Sequence, residues 1–220
     1  MKRMDVILGK GKLGKRMERP LWRWIRFVDG YCRERWAIDE DNPYWNNERG
    51  SLGILAAAIW STGGLAVEEL PAEKKKGRRT ITDARLDLWC SLGRDDYAFE
   101  AKQRHIRLSL TASPTQVKKR LQGALTIAAG NVKEKPGYGK RASLVFAVPY
   151  VRGTRRAEPV EMRHLLQVFV DAIKQCDASF AAWCIQPKGR CTWSYWPRKG
   201  RTDYYYWPGV AVIGRALRRQ

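Results

Sequence analysis

One stretch, Arg85 to Arg104, carries an aspartate, a glutamate and a lysine at spacings that a short hairpin gathers: Asp87, Glu100 and Lys102. The runs RLDLWC and YAFEAKQ alternate apolar with polar or charged residues at the strand period, and SLGRDD between them is rich in turn formers. With Ser91 set opposite Asp96 around a loop of Leu92 to Asp95, Asp87 falls opposite Glu100, Arg85 opposite Lys102 and Trp89 opposite Ala98. Leu86, Leu88 and Cys90 then share the core face with Tyr97, Phe99 and Ala101. Directly opposed residues lie about 5 Å apart, so two carboxylates there repel unless a cation sits between them. Carboxylate oxygens are the ligands that Mg²⁺ or Mn²⁺ prefers. Lys102 projects from the same side, where it would orient an attacking water or neutralise charge on a phosphorane-like transition state. These are the parts that hydrolysis of a phosphodiester requires. The plainer alternative is a solvated strand face with cross-strand charge pairs.

The order Asp, a gap of a dozen residues, then Glu-x-Lys resembles the PD-(D/E)xK nuclease superfamily, the restriction-endonuclease-like fold; here it reads Asp87, then Glu100, Ala101 and Lys102. Leu86 stands where the pattern has its proline. The resemblance spans about 42–187. It implies a metal-dependent nuclease core with Asp87 and Glu100 as ligands of Mg²⁺ or Mn²⁺ and Lys102 as the catalytic lysine. In that superfamily the helix ahead of the hairpin often brings a further acid, and Glu48 stands in that place; the helix dipole alone would also favour a glutamate there. Some members place a glutamine or lysine on the helix after the hairpin to hold substrate or water, which nominates Gln116 and Gln122 as support. His105 returns to the site's face farther along its strand, although a lone histidine is more often structural. Gln103 points to the opposite side.

The chain has 220 residues, enough for one domain with a real core, and a net charge of +20 with a pI near 10.1. Such a balance implies a polyanionic partner, nucleic acid or an anionic membrane surface. No apolar run approaches spanning length and the start has too short an apolar stretch for a secretory signal, which favours nucleic acid, DNA first, and a cytoplasmic place, nucleoid-associated if the source is bacterial. Cys32, Cys90, Cys176, Cys184 and Cys191 are odd in number and form no CxxC pair, so reduced thiols are expected in place of disulfides or zinc. There is no P-loop and no dinucleotide fingerprint.

The elements follow from punctuation and periodicity. Residues 1–19 read as a basic arm and 20–220 as a single nuclease-like domain. Pro20 opens a helix, and Asn42 with Pro43 opens another that runs to Gly63 and carries Glu48 in its second turn. A first strand spans Leu65 to Leu70. The charged connection after it holds Lys74, Lys75, Lys76, Arg78 and Arg79, which with Arg85 are candidates for phosphate contact. A helix capped by Ser113 presents Lys118, Lys119 and Arg120 for the same purpose. A buried strand SLVFAVPYV, a helix from Glu158 and a strand FAAWCIQP follow, and the aromatic C-terminal part reads as a hairpin. Together these predict an α/β fold: a central mixed β-sheet flanked by helices, restriction-endonuclease-like, with a C-terminal aromatic β-hairpin. The rival readings are a catalytically silent DNA-binding or scaffold subunit of a larger nucleoprotein complex, and a nuclease acting on RNA. With no separate recognition domain, strong sequence specificity would come from loops or a homodimer.

Overall fold

The computed structural model describes residues 4–39, 43–45, 47–77, 79–135, 137–153, 155, 158–185, 194–198 and 201–217. Among them, nine strands form one sheet in the order β1 (Met4–Gly9), β6 (Phe180–Ile185), β9 (Gly209–Ala216), β5 (Lys140–Gly153), β4 (Asp95–Leu108), β3 (Arg79–Leu92) and β2 (Leu65–Lys76). The pair β7 (Ser194–Arg198) and β8 (Arg201–Tyr206) joins through β8 to the end of β5. β4 and β5 run parallel and the other pairings are antiparallel. The class is α/β, with a mixed, mostly antiparallel sheet between four helices among the described residues. None of the described helices is long and apolar enough to cross a membrane.

One face is covered by α1 (Gly11–Asp39) and α2 (Glu48–Trp60), the other by α3 (Pro114–Lys133) and α4 (Pro159–Lys174). From Met4 on, the segment read as an arm is structured: β1 pairs with β6, and α1 begins at Gly11 with Pro20 inside it. The reason is the apolar stripe. Leu13, Met17, Leu21, Trp24, Ile25, Val28 and Cys32 recur at helical spacing on both sides of Pro20, and each is at most 3% exposed. Burial of that many large side chains, at roughly 1.5–3 kcal/mol each, outweighs the roughly 3 kcal/mol that an interior proline costs.

α2 starts five residues later than Pro43 suggests. Asn47 is its N-cap, its side chain accepting from the Gly50 N–H at 2.9 Å, so Glu48 is in the first turn instead of the second. β2 and β3 form one long hairpin, which makes Lys74, Lys75 and Arg79 strand residues near its tip instead of parts of a loop. At the C-terminus the hairpin β7–β8 is as expected, but the chain then adds β9, which enters the middle of the sheet between β5 and β6. Val210, Ala211, Val212 and Ile213 there are at most 1% exposed. Trp193 lies outside the described residues, as do the side chains of Tyr195 and Trp196. Cys32, Cys90, Cys176 and Cys184 are free and buried, and Cys191 lies outside the described residues.

Candidate active site

The motif hairpin has the expected register for five pairs, from Leu92 opposite Asp95 to Leu88 opposite Phe99. Its loop is the two residues Gly93 and Arg94, shorter than the four expected. Gly93 has φ +68°, as the first central residue of a type II′ turn needs.

Beyond Leu88 and Phe99 the ladder stops. β3 continues on β2 while β4 continues on β5 through Leu108, so the two strands part in a V. Asp87 and Glu100 are therefore not ladder partners, and neither are Arg85 and Lys102, which corrects the expected pairing. Instead Asp87 Oδ2 accepts the Ala101 N–H at 2.7 Å, in place of the backbone acceptor that a continuing ladder would offer. The carboxylate thus reaches across the V to the Glu100-Ala101-Lys102 segment. Leu86 also changes company: it packs with Ala72, Ala98 and Val132, apart from Leu88 and Cys90.

Glu48 approaches from the N-terminus of α2. Its Oε2 accepts the Gln103 N–H at 2.8 Å and its Oε1 lies 3.7 Å from Lys102 Nζ. Gln103 fixes this approach, because its side chain donates to the Tyr44 carbonyl at 3.1 Å and accepts from Ser51 Oγ at 3.1 Å. Lys102 Nζ also donates to the Ala101 carbonyl.

A residue outside the motif completes the cluster. Lys135, just past the end of α3, is 6% exposed, donates to Glu100 Oε1 and donates to the Arg85 carbonyl. It sits in the basic segment KEKPGYGKR, where nothing in the sequence distinguishes it from its neighbours. Burial pushes the Glu100 carboxyl above its ordinary range, opposed by the hydrogen bond from Lys135, while the charge of Asp87 adds to the rise. Burial likewise raises Glu48, opposed by Lys102, and Asp87 again adds to the rise. The excess charge is negative, three carboxylates against two ammonium groups.

That balance bears on a divalent cation. The donors are hard oxygens, the type Mg²⁺ and Mn²⁺ take, and burial, the main cause of the raised Glu48 and Glu100 carboxyls, would be offset by a cation. In donor type and charge the set fits. Among the described residues, however, no three acidic, histidine or cysteine side chains stand close enough together to hold a metal. Lys135 lies on the Glu100 oxygen that a cation would need.

Other candidate residues lie apart. Arg85 is 65% exposed on its side chain and faces Glu69 at 4.0 Å. Lys74 pairs with Glu134 at 2.9 Å, Lys75 and Arg79 are exposed, and Arg78 and the Lys76 side chain lie outside the described residues. Lys118, Lys119 and Arg120 stand on the first half of α3, at least about 20 Å along the helix from its Lys135 end at 1.5 Å per residue. The structure does not bring them to the cluster. Gln116 closes the capping box with Ser113, and Gln122 accepts the Asp177 N–H at 3.0 Å. His105 stacks edge-on against Trp207 at 5.3 Å, and partial burial lowers its pKa.

No protein-family profile, curated protein or solved structure matches the chain.

Proposed function

We propose that the protein is a metal-dependent nuclease of the PD-(D/E)xK type, with a restriction-endonuclease-like core, that hydrolyses phosphodiester bonds, DNA first. The observation that carries this reading is the gathering of Asp87, Glu100 and Lys102 at the V between β3 and β4, with Glu48 added from α2. Asp87, Glu100 and Glu48 would hold Mg²⁺ or Mn²⁺ by drawing closer together than they stand here, with Lys135 yielding its place on Glu100. When bound, such an ion would polarise a phosphoryl oxygen and lower the pKa of its water. Lys102 would orient the attacking water or neutralise charge growing on the phosphoryl group. Lys75 and Arg79, exposed near the β2–β3 tip, would touch backbone phosphates without reading sequence.

A second reading, a non-cleaving nucleic-acid-binding or scaffold subunit, is favoured by Lys135, which holds Glu100 as a built-in cation. One assay separates the two. Linear, circular and single-stranded DNA, and RNA, are incubated with Mg²⁺ or Mn²⁺ and the intact chain, Asp87→Ala or Lys102→Ala. The nuclease reading expects cutting by the intact chain and a loss of about a hundredfold or more in each variant at equal binding. Tight binding with no cutting by any of the three would leave the silent binder.

A further inference from the structure

Away from the acid cluster, where β5 begins and β9 ends, the surface folds into two adjoining clefts of about 430 and 670 Å³ that share Lys10, Gly11, Ser179, Ala216 and Leu217. Among the described residues, six cationic side chains line them, Lys10, Lys12, Lys133, Lys140, Arg141 and Arg215, against a single lining carboxylate, Asp177. Asp177 is 84% exposed and stands 3.6 Å from Arg215. Beneath the cleft, Asp95 is only 8% exposed and pairs with three cations: Lys12 at 3.0 Å, Arg16 at 2.7 Å, and Lys140. One buried carboxylate thus fixes Lys12 and Lys140 at the lip while leaving net positive charge. Lys10 and Lys133 are exposed, and neither side chain has an acidic partner among the described residues. Clustered like charges repel one another, a penalty that a bound polyanion relieves.

We propose that this cleft binds the phosphodiester backbone of a nucleic acid, as a second anchor beside the acid cluster. Register supports the pairing of the two places. Tyr97 lies opposite Lys140 and Glu100 opposite Ser143, so the lip is three residues along β5 from the cluster, about 10 Å. That is about three base-pair steps of a duplex, so one backbone reaches both. Contacts of this kind position the substrate and carry no base preference.

The inference rests on nucleic acid as the partner, not on hydrolysis. Its test is the double variant Lys10→Glu/Lys133→Glu in the full chain, whose melting temperature first checks that the fold is spared. Binding to short single- and double-stranded oligonucleotides is then measured across salt concentrations, beside the intact chain and a charge-reversed control on the exposed side of α4, Arg163→Glu. Inorganic phosphate and phosphatidylserine vesicles serve as competitors. The expected result is at least a tenfold loss of affinity, a salt slope shallower by about two, one per lysine, and near-unchanged binding by Arg163→Glu. Equal affinity and slope for the double variant and the intact chain overturn the cleft. So does competition by inorganic phosphate at micromolar concentration, which assigns it to a small anion, or a loss confined to vesicles, which assigns it to a membrane surface. An intact chain that binds no oligonucleotide sinks this inference and the nuclease reading together. One that binds through the cleft and never cuts sinks the nuclease reading alone.

Discussion

Glu100 and Lys135 are buried as a pair, at 4% and 7% side-chain exposure, and each is the other's main compensation. Taking away one partner leaves a charge in a place that water barely reaches. Glu100→Ala is expected to cost about 3 kcal/mol in urea unfolding, with Lys135→Met in the same background recovering most of it. A Glu100→Ala chain as stable as the intact one would mean that the Arg85 carbonyl alone suffices for Lys135. The acid side of this pair was legible in the sequence, because strand alternation fixes which of Asp87, Glu100 and Lys102 face the same way. The basic side was not. Lys133, Lys135 and Lys140 look alike in a glycine-containing basic segment, and only the placement of α3's end over β3 and β4 separates the buried lysine from the exposed one.

At the level of elements, the hairpin register could be read because Leu88 and Cys90 with Tyr97 and Phe99 admit one alignment that buries all four. Where the ladder ends could not. That depends on β2 and β5 drawing β3 and β4 apart, and neither competitor is visible within the hairpin itself. Pro20 misled for a related reason: a local signal for a helix start was overridden by packing along α1. The strand β9 was hidden because GVAVIG follows directly on the aromatic hairpin and reads as part of it. At the start of α2, Asn47→Ala removes the cap that seats Glu48. The expected loss is about 1 kcal/mol, seen as a lower urea midpoint at unchanged m-value. A midpoint equal to that of the intact chain would show that Gln103 and Tyr44 hold the helix start without the cap.

For the whole molecule, Asp95 ties α1 to the β3–β4 turn and to the start of β5. Hydrogen bonds from Lys140 and Lys12 hold its carboxyl down at about 2. An unfolded aspartate titrates near 4, roughly. The folded value lies below the unfolded one, so this stabilisation is complete above about pH 4 and fades as pH falls through about 2. Asp95→Asn should therefore melt below the intact chain at neutral pH, and the two should converge toward pH 2. A gap that persists to pH 2 would place the effect in packing instead of charge.

β2 is one outer strand of the sheet, with β1 at the opposite margin, and it is kept from being a plain edge. Glu69 has a φ of 52°, Pro71 offers no N–H, and the register shifts between Ala72 and Lys74. The segment after α3 then lies against it: Tyr138 donates to the Pro71 carbonyl at 2.6 Å and Glu134 accepts the Lys75 N–H at 2.7 Å. The consequence is colloidal. A bent, partly occupied and lysine-bearing margin gives a second copy no straight row of backbone groups on which to add a strand. Along this margin, concentrated protein is thereby spared the edge-to-edge growth that ends in fibres.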